Sequence, residues 1–434
     1  MAAAEPEPSD AFAAFFRDSP PNVIIEIARR LPARSLLRLR SVCKELRKVT
    51  SYRVLLATLH LLRPPRPLLC FGHDACPHRY VQLRDYCVEA LDLRSGALRP
   101  VLRFTDNEYF DFIENAEAVD APAIFALSKD GIRYDADEET DGTGHPRLVV
   151  HASVDGLLLA SFVNIWYVCN PATREWAALP DFLADCDVIG MYAHASSGEL
   201  RVLYHTGRDD EGASTCYYVL KVGAQEARSI GCPVSPAATA VKNVGLDTGL
   251  DPASLSPPVQ VGRNLHWPPQ ERQGYHILVF DTEAEVFHWM RSPIGSENVF
   301  FRNGSMQLLE MDYKLAMSVS RRNKPTLQLW RLEDYRNEIW NQVYRITIQV
   351  PRIPALRSED WFPRVVSAQG DVLIECSNNK LLHCDRYGNL LRKFHFREET
   401  PLVRHALKET LLPHPIFVAP KADDVVEVPF FQGL

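Results

Sequence analysis

The stretch Ile165–Leu179, IWYVCNPATREWAAL, decides the fold. An apolar run leads to Asn170, a polar turn follows, and a second short run carries Trp176. Asn and Asp suit the opening of such a turn because their side chains accept bonds from backbone N–H groups two residues on. The pattern reads as a β-hairpin, and it recurs. Residues 88–101 (VEALDLRSGALRPV), 277–290 (ILVFDTEAEVFHWM), 327–343 (LQLWRLEDYRNEIWNQV) and 381–394 (LLHCDRYGNLLRKF) are clear copies. Residues 217–230 (YYVLKVGAQEARSI) are a weaker one. The turns fall at Asp92, Asn170, Gly223, Asp281, Asp334 and Asp385, separated by 78, 53, 58, 53 and 51 residues. Four of these steps are close to a blade repeat of roughly 50 residues. The long first step holds an acidic run, so an insertion restores the period. The copies lack helical segments and glycine ladders, which argues against a solenoid. Four-stranded blades closed into a ring leave few exposed strand edges, so an all-β propeller is expected.

The composition agrees. The chain has 434 residues, 46% hydrophobic and 24% charged, with a formal net charge of −7. Those values exclude wholesale disorder, collagen and a coiled-coil rod. Prolines (31) outnumber glycines (21), which disfavours a helical bundle. The opening MAAAEPEPSD has neither the basic nor the apolar region of a secretory signal. The most apolar run, 156–169, is too short to span a bilayer. Ten scattered cysteines fit buried thiols in a reducing compartment, so a cytoplasmic or nuclear location is expected.

Charge is uneven. From Arg17 to Arg53 ten basic residues stand against three acidic ones, and from Asp106 to Asp141 twelve acidic residues stand against two basic ones. The basic stretch is helical in pattern. Pro20 sits where a helix tolerates proline, with Ser19 as a cap, and Val23, Ile24, Ile27 and Leu31 recur at helical spacing until Pro32. A second helix, capped by Ser35, carries Leu36, Leu37, Leu39, Val42 and Cys43. A third starts at Lys44 and carries Leu46, and a fourth spans 52–62. Helices this short are marginal alone. Their apolar stripe exceeds what they can hide among themselves, so they bury it against another protein or dock on the rest of the chain. Nucleic acid is a poor fit, because the arginines surround the helices and no helix-turn-helix glycine turn appears.

The residues Ser19-Pro20, Ile27, Arg30-Leu31-Pro32, Ser35-Leu36, Arg38, Val42-Cys43-Lys44 and Arg47 resemble an F-box. HASVDGLLLASF, YVCNPATREWAALP, VFDTEAEVFHWMRSP, GDVLIECSNNKLLHCD and LKETLLPHPIF resemble the F-box-associated domains of plant, and especially grass, F-box proteins. The resemblance implies a small all-α N-terminal F-box module followed by an all-β, kelch-like β-propeller domain. It divides the chain into a disordered N-terminus (1–17), the F-box (18–62), the propeller (63–420) with its acidic insertion (105–144), and a tail (421–434). It implies a Skp-type adaptor bound by Pro20, Val23, Ile24, Ile27, Leu31, Pro32, Leu36, Leu39, Val42, Cys43 and Leu46, and through it a cullin. The family's leading Leu and its Trp before the Arg are here Ser19 and Leu46, which removes apolar bulk from the adaptor face.

No phosphate-binding, dinucleotide, serine-hydrolase or zinc-protease motif is present. Cys70, His73, Cys76 and His78 lie close together, but at a spacing that structural zinc sites do not use. Cys376, His383 and Cys384 fall in a hairpin, where a buried thiol is the usual finding. No cofactor, metal or catalytic residue is expected. The loops 105–144, 233–262 and 267–275 are where binding belongs, and Trp267 and Tyr275 are candidate anchors for a target protein. Trp176, Trp289, Trp330 and Trp340 are expected to pack between blades. The tail either adds a strand to the first blade or stays unstructured. The expected function is the recruiting subunit of a cullin-type ubiquitin ligase, without membrane or nucleic-acid partners. The alternative is a propeller interaction module whose head engages no adaptor.

Overall fold

The computed structural model describes residues 19–42, 44–74, 84–105, 148–162, 165–180, 182–183, 186–206, 216–231, 257–269, 274–294, 304–357, 360–376, 380–396, 402–417 and 431. Among the described residues four helices form the head: α1 (Pro21–Arg30), α2 (Ala33–Leu39), α3 (Lys44–Thr50) and α4 (Arg53–Leu62). Ser19 and Ser35 do not cap α1 and α2. Pro20 and Pro32 are the N-caps, and neither helix has a side-chain cap bond. Their fixed φ of −57° and −58° presets the first turn, with Val23 N–H bonding Pro20 and Ser35 N–H bonding Pro32 at 3.0 Å.

The body consists of six four-stranded antiparallel sheets. The first holds β1 (Arg66–Asp74), β2 (Arg84–Leu91) and β3 (Leu98–Thr105). The second holds β4 (Leu148–Val154), β5 (Leu157–Phe162), β6 (Ile165–Asn170) and β7 (Glu175–Ala178), and the third β8 (Cys186–Ala193), β9 (Leu200–Thr206), β10 (Cys216–Lys221) and β11 (Ala227–Ser229). The fourth holds β12 (Val259–Val261), β13 (Asn264–Trp267), β14 (His276–Asp281) and β15 (Val286–Arg291). The fifth holds β16 (Gly304–Met311), β17 (Lys314–Arg321), β18 (Thr326–Asp334) and β19 (Ile339–Thr347), and the sixth β20 (Trp361–Val365), β21 (Val372–Cys376), β22 (Lys380–Cys384) and β23 (Leu390–His395). The last strand, β24 (Leu402–Leu407), returns to the first sheet and pairs with β1, Arg66 opposite Leu407 and Leu69 opposite Leu402. The first blade is thus built from both ends of the body, and the ring is closed. The closing strand lies upstream of the tail. The tail falls outside the described residues except for Phe431, which is buried between blades 1 and 2.

Six apolar clusters hold the ring, one at each junction of neighbouring blades. Tyr192, Leu203 and Tyr217 of blade 3 meet Leu265, Trp267 and Phe280 of blade 4, for example. Alternate residues of each inner strand face opposite neighbours, so both sides are buried and the strands read as near-continuous apolar runs. Trp176, Trp289 and Trp340 pack against three of these clusters, and Trp330 is half-buried.

All six hairpins expected from the repeat are the outer strand pairs of the six blades, β2–β3, β6–β7, β10–β11, β14–β15, β18–β19 and β22–β23. The turn residues act as their chemistry demands. Asp281 Oδ1 accepts from Glu283 and Ala284 N–H at 2.8 and 2.9 Å, and Asp385 Oδ1 from Tyr387 and Asn389 at 2.9 and 2.8 Å. Asp92, Asn170 and Asp334 do the same. The sixth turn has no acceptor at its head and relies on Gly223 at φ +90°.

Candidate interaction surfaces

The antiparallel order sends the connections of each blade to two faces. Turns between first and second strands, and between third and fourth, share one face. Ser196 N–H bonds Glu283 at 3.0 Å there, and Asn264 bonds the Tyr335 hydroxyl at 2.8 Å. Connections between second and third strands, and those from one blade to the next, share the other. Asn323 and Arg322 bond Asp360 on that side, at 2.6 and 2.8 Å. The strand ends that flank 106–147, 230–258 and 268–275 all lie on this second face. The long step of the repeat is therefore the passage from blade 1 to blade 2. The acidic insertion itself, and most of 233–262, lie outside the described residues.

The head sits on the turn face, over blades 1 and 2. Its core joins Ala28, Ala33, Leu36, Leu55, Leu56 and Leu59 to Leu411, with Leu412 and Ala172 of the body packed against it. One side of the helical stripe therefore docks on the chain itself, and another is exposed. Val23 and Val42 are 37% and 56% exposed, and Pro20 and Pro32 are exposed beside them. Ile27, Leu31 and Leu39 are half-buried. Leu36 is 1% exposed and belongs to the interior, because it joins the cluster that also holds Ala28, Leu55, Leu56, Leu59 and Leu411. Cys43 and the side chains of Ile24 and Leu46 lie outside the described residues. The pattern missed Tyr52, Val54, Leu61 and Leu62, which are also exposed. Their signal was the residue left over when Leu55, Leu56 and Leu59 are assigned to the core of α4.

Polar contacts fasten the seam between head and body. His60 lies 3.6 Å from Asp155 in the first turn of blade 2, and its Nδ1 is 3.3 Å from the Glu409 carbonyl. The Glu409 carboxylate is buried and pairs with Arg66 at 3.4 Å and with Arg99. Arg66 also reaches Asp92 at 3.3 Å, and Arg63 donates to the Leu31 carbonyl at 3.2 Å. Burial and the neighbouring Arg66 lower Arg63 and Arg99 to about 10. No local pattern marks Glu409 as special, since its partner Arg66 is 343 positions away.

Trp267 and Tyr275 are not anchors. Trp267 is 1% exposed, ends β13 and donates Nε1–H to the Ile189 carbonyl at 3.2 Å. Tyr275 is 8% exposed and joins the cluster between blades 4 and 5. Both stand where the loop 268–274 meets the body, and a large aromatic at a strand end fills the wedge between blades. His383 Nε2 lies 3.0 Å from Asp371, and burial raises the Cys384 thiol to about 12, which makes it inert. Among the described residues no group of His, Cys, Asp or Glu could hold a metal, and no helix is long and apolar enough to cross a membrane. His73, Cys76 and His78 lie outside the described side chains.

Residues 20–56 match the F-box domain model. The head is an F-box. Over 420 residues the chain is 21% identical to an F-box protein of Arabidopsis thaliana, covering 91% of this chain and 97% of that one. Solved structures similar to it include the β-propeller domain of Cps50 (Swd1) from Myceliophteria thermophila and AztD from Citrobacter koseri. The first has a TM-score of 0.35 at 11% identity and covers 77% of this chain and 90% of that one. The second has a TM-score of 0.33 at 8% identity and covers 77% and 82%. Strand order establishes the body as a six-bladed propeller that follows the F-box.

Proposed function

We propose that this protein is the substrate-recruiting subunit of a Skp–cullin–F-box ubiquitin ligase. The reading rests on one observation. The F-box docks on the face of short turns, so the face of long connections is the one on which it would hold a target. Val23 and Val42 would meet the Skp-type adaptor, and the adaptor would meet the cullin. The propeller would hold the target protein at a set distance, and raise its effective concentration beside the ligase without making or breaking bonds. We read the body as a kelch-like, plant F-box-associated propeller, because its turns recur at about 50 residues. We also place the protein in the cytoplasm or nucleus, with neither nucleic acid nor membrane as a partner.

Co-expression with a Skp-type adaptor tests this. Wild type is expected to co-elute with the adaptor on gel filtration. The double variant Val23→Asp/Val42→Asp is expected to lose it, because a charge buried without a partner is strongly destabilising. Leu36→Asp is not a test of the interface, since it unfolds the head. A wild-type protein that elutes alone refutes the adaptor claim and leaves a propeller interaction module.

A further inference from the structure

The chain does not end its work at the closing strand. Directly after β24, residues 408–412 run through the seam and touch three parts of the molecule. The Glu409 carboxylate, 5% exposed, pairs with Arg66 of β1 and Arg99 of β3. Its carbonyl faces His60 of α4 at 3.3 Å. The Thr410 carbonyl accepts from Asn170 Nδ2 in the outer turn of blade 2 at 3.4 Å. Leu411 enters the core of the F-box, with Leu412 against it. Gly156 is what lets the segment come so close to blade 2: a Cβ there would stand 2.7 Å from the Lys408 carbonyl and from the Thr410 nitrogen.

The ladder that closes the ring stops at the Arg66–Leu407 pair, so closure does not use Glu409. The F-box core takes Leu411 but not the carboxylate. What the carboxylate joins is the segment to blade 1, and what the segment joins is the F-box to the ring. We propose that Glu409 is a positioning residue, which fixes the orientation of the F-box on the propeller by tying residues 408–412 to Arg66 and Arg99. Given the function proposed above, it sets the distance between adaptor and target. Without the carboxylate, two half-buried guanidiniums lose the anion between them, Arg66 keeps only Asp92, and the segment and the F-box it carries are tied less firmly to blade 1.

Hydrogen exchange of the full chain tests this in Glu409→Gln and, from the other side of the pair, in Arg66→Gln. Amides of α4 and of residues 408–412 are expected to exchange at least tenfold faster. Those of β17 and β18, on the far side of the ring, are expected to be unchanged. Glu409→Asp, which keeps the charge, is expected to recover part of the protection. Unchanged α4 amides in both Gln variants overturn the proposal. Faster exchange throughout the ring overturns it too, since Glu409 would then be a general stabiliser. Adaptor binding is measured in parallel and is expected to persist in Glu409→Gln. A wild-type protein that binds no adaptor fails the functional proposal alone and leaves the exchange result standing.

Discussion

Connections on the face that carries the F-box are 2 to 6 residues long, whereas those on the opposite face run from 2 to 42. The first face is written locally. Five of its six outer turns start with Asp or Asn, and each of those side chains binds the N–H groups that follow. In four of them the fifth residue is left-handed: Gly96 (φ +73°), Arg174 (φ +63°), Glu285 (φ +54°) and Glu338 (φ +53°). Such turns leave little freedom for insertions. Among the described residues the second face shows no recurring device, and a long connection costs little closure entropy. A propeller can thus keep one face fixed for docking its own head and vary the other.

The largest test of the local rule is Gly388→Ala. Gly388 closes the outer turn of blade 6 at φ +78°, and a Cβ there would lie 2.0 Å from the Thr347 carbonyl at the end of β19. Left-handed strain and overpacking together should cost about 3 kcal/mol or more. Gly223→Ala shares the left-handed backbone (φ +90°) but has open space around it. It should cost only about 1–2 kcal/mol. Urea midpoints at constant slope measure both. Equal losses would mean that conformation alone, not the approach of the neighbouring blade, sets the need for glycine.

Acid should separate the turn face from the blade interior. Burial, helped by His405, holds His151 down to about 3, and burial holds His266 at about 4. His266 donates Nδ1–H to the Val259 carbonyl at 3.2 Å and accepts from the Tyr335 hydroxyl at 2.8 Å, an arrangement that suits the neutral ring. Unfolded histidines bind a proton near pH 6.5, so between that pH and the folded values the unfolded state holds more protons. Stability is therefore full above about pH 6.5 and falls as the pH drops, by about 1.4 kcal/mol per unit for each histidine. Between pH 7 and 5 each should cost about 2 kcal/mol. Asp92 behaves differently: burial raises it, but the Ser95 N–H, the Arg66 charge and the Arg94 N–H outweigh burial and hold it below its usual value of 3.8. Its turn should weaken only below that pH. His266→Gln is expected to make the first limb shallower by its share, about 2 kcal/mol between pH 7 and 5, and leave the second. A stability curve flat from pH 7 to 5 in wild type would show that the histidines are not held neutral.

A single turn contributes less. Asp281→Ala removes the acceptor of two N–H groups and should cost about 1–2 kcal/mol, while Asp281→Asn should be nearly neutral because Asn170 already serves in blade 2. Parity of the two variants in thermal melting would mean the side-chain oxygen is idle.

How much of this was legible follows from where the information sits. Five of the six hairpins were readable because the turn acceptor and the strands it joins lie within about fifteen residues of one another, and the sixth, at Gly223, from its place in the period. The one long step of the same period falls where β3 ends at Thr105 and β4 begins at Leu148. The closing strand was not readable: 402–407 carries no turn device, and only pairing with β1 identifies it. Trp267 and Tyr275 have the look of anchors because they flank PPQERQG, and nothing local tells an aromatic that leaves a blade from one that seals it. Leu36 has the spacing of an adaptor-face residue, yet the cluster that buries it draws on α1, α4 and Leu411, and the last lies 375 positions away. Glu409 was invisible for the plainest reason, because its arginines come from the other end of the chain.

The smallest expected effect compares one turn in two blades. β4 and β5 are joined by the two residues Asp155 and Gly156, at φ +50° and +85°, and β16 and β17 by Asp312 and Tyr313, at φ +50° and +61°. Two left-handed residues in a two-residue hairpin match the twist of the strands, and Asp-Gly is the pairing such turns favour. Blade 2 follows that preference, and there glycine is also required by the segment packed on it. Blade 5 does not. Tyr313 is 71% exposed, so it pays left-handed strain without burying its ring. Tyr313→Gly removes about 1–2 kcal/mol of strain and adds about 0.5–1 kcal/mol of unfolded-state entropy. The net should be a gain of about 0.5 kcal/mol, read as a small rise in the urea midpoint. The ion pair of the preceding Asp312 with Arg331, at 3.2 Å, is left in place, so the comparison isolates the backbone. A loss of stability instead would show that the tyrosine ring, not the turn, holds β16 and β17 in register, and the local rule would stop at blade 5.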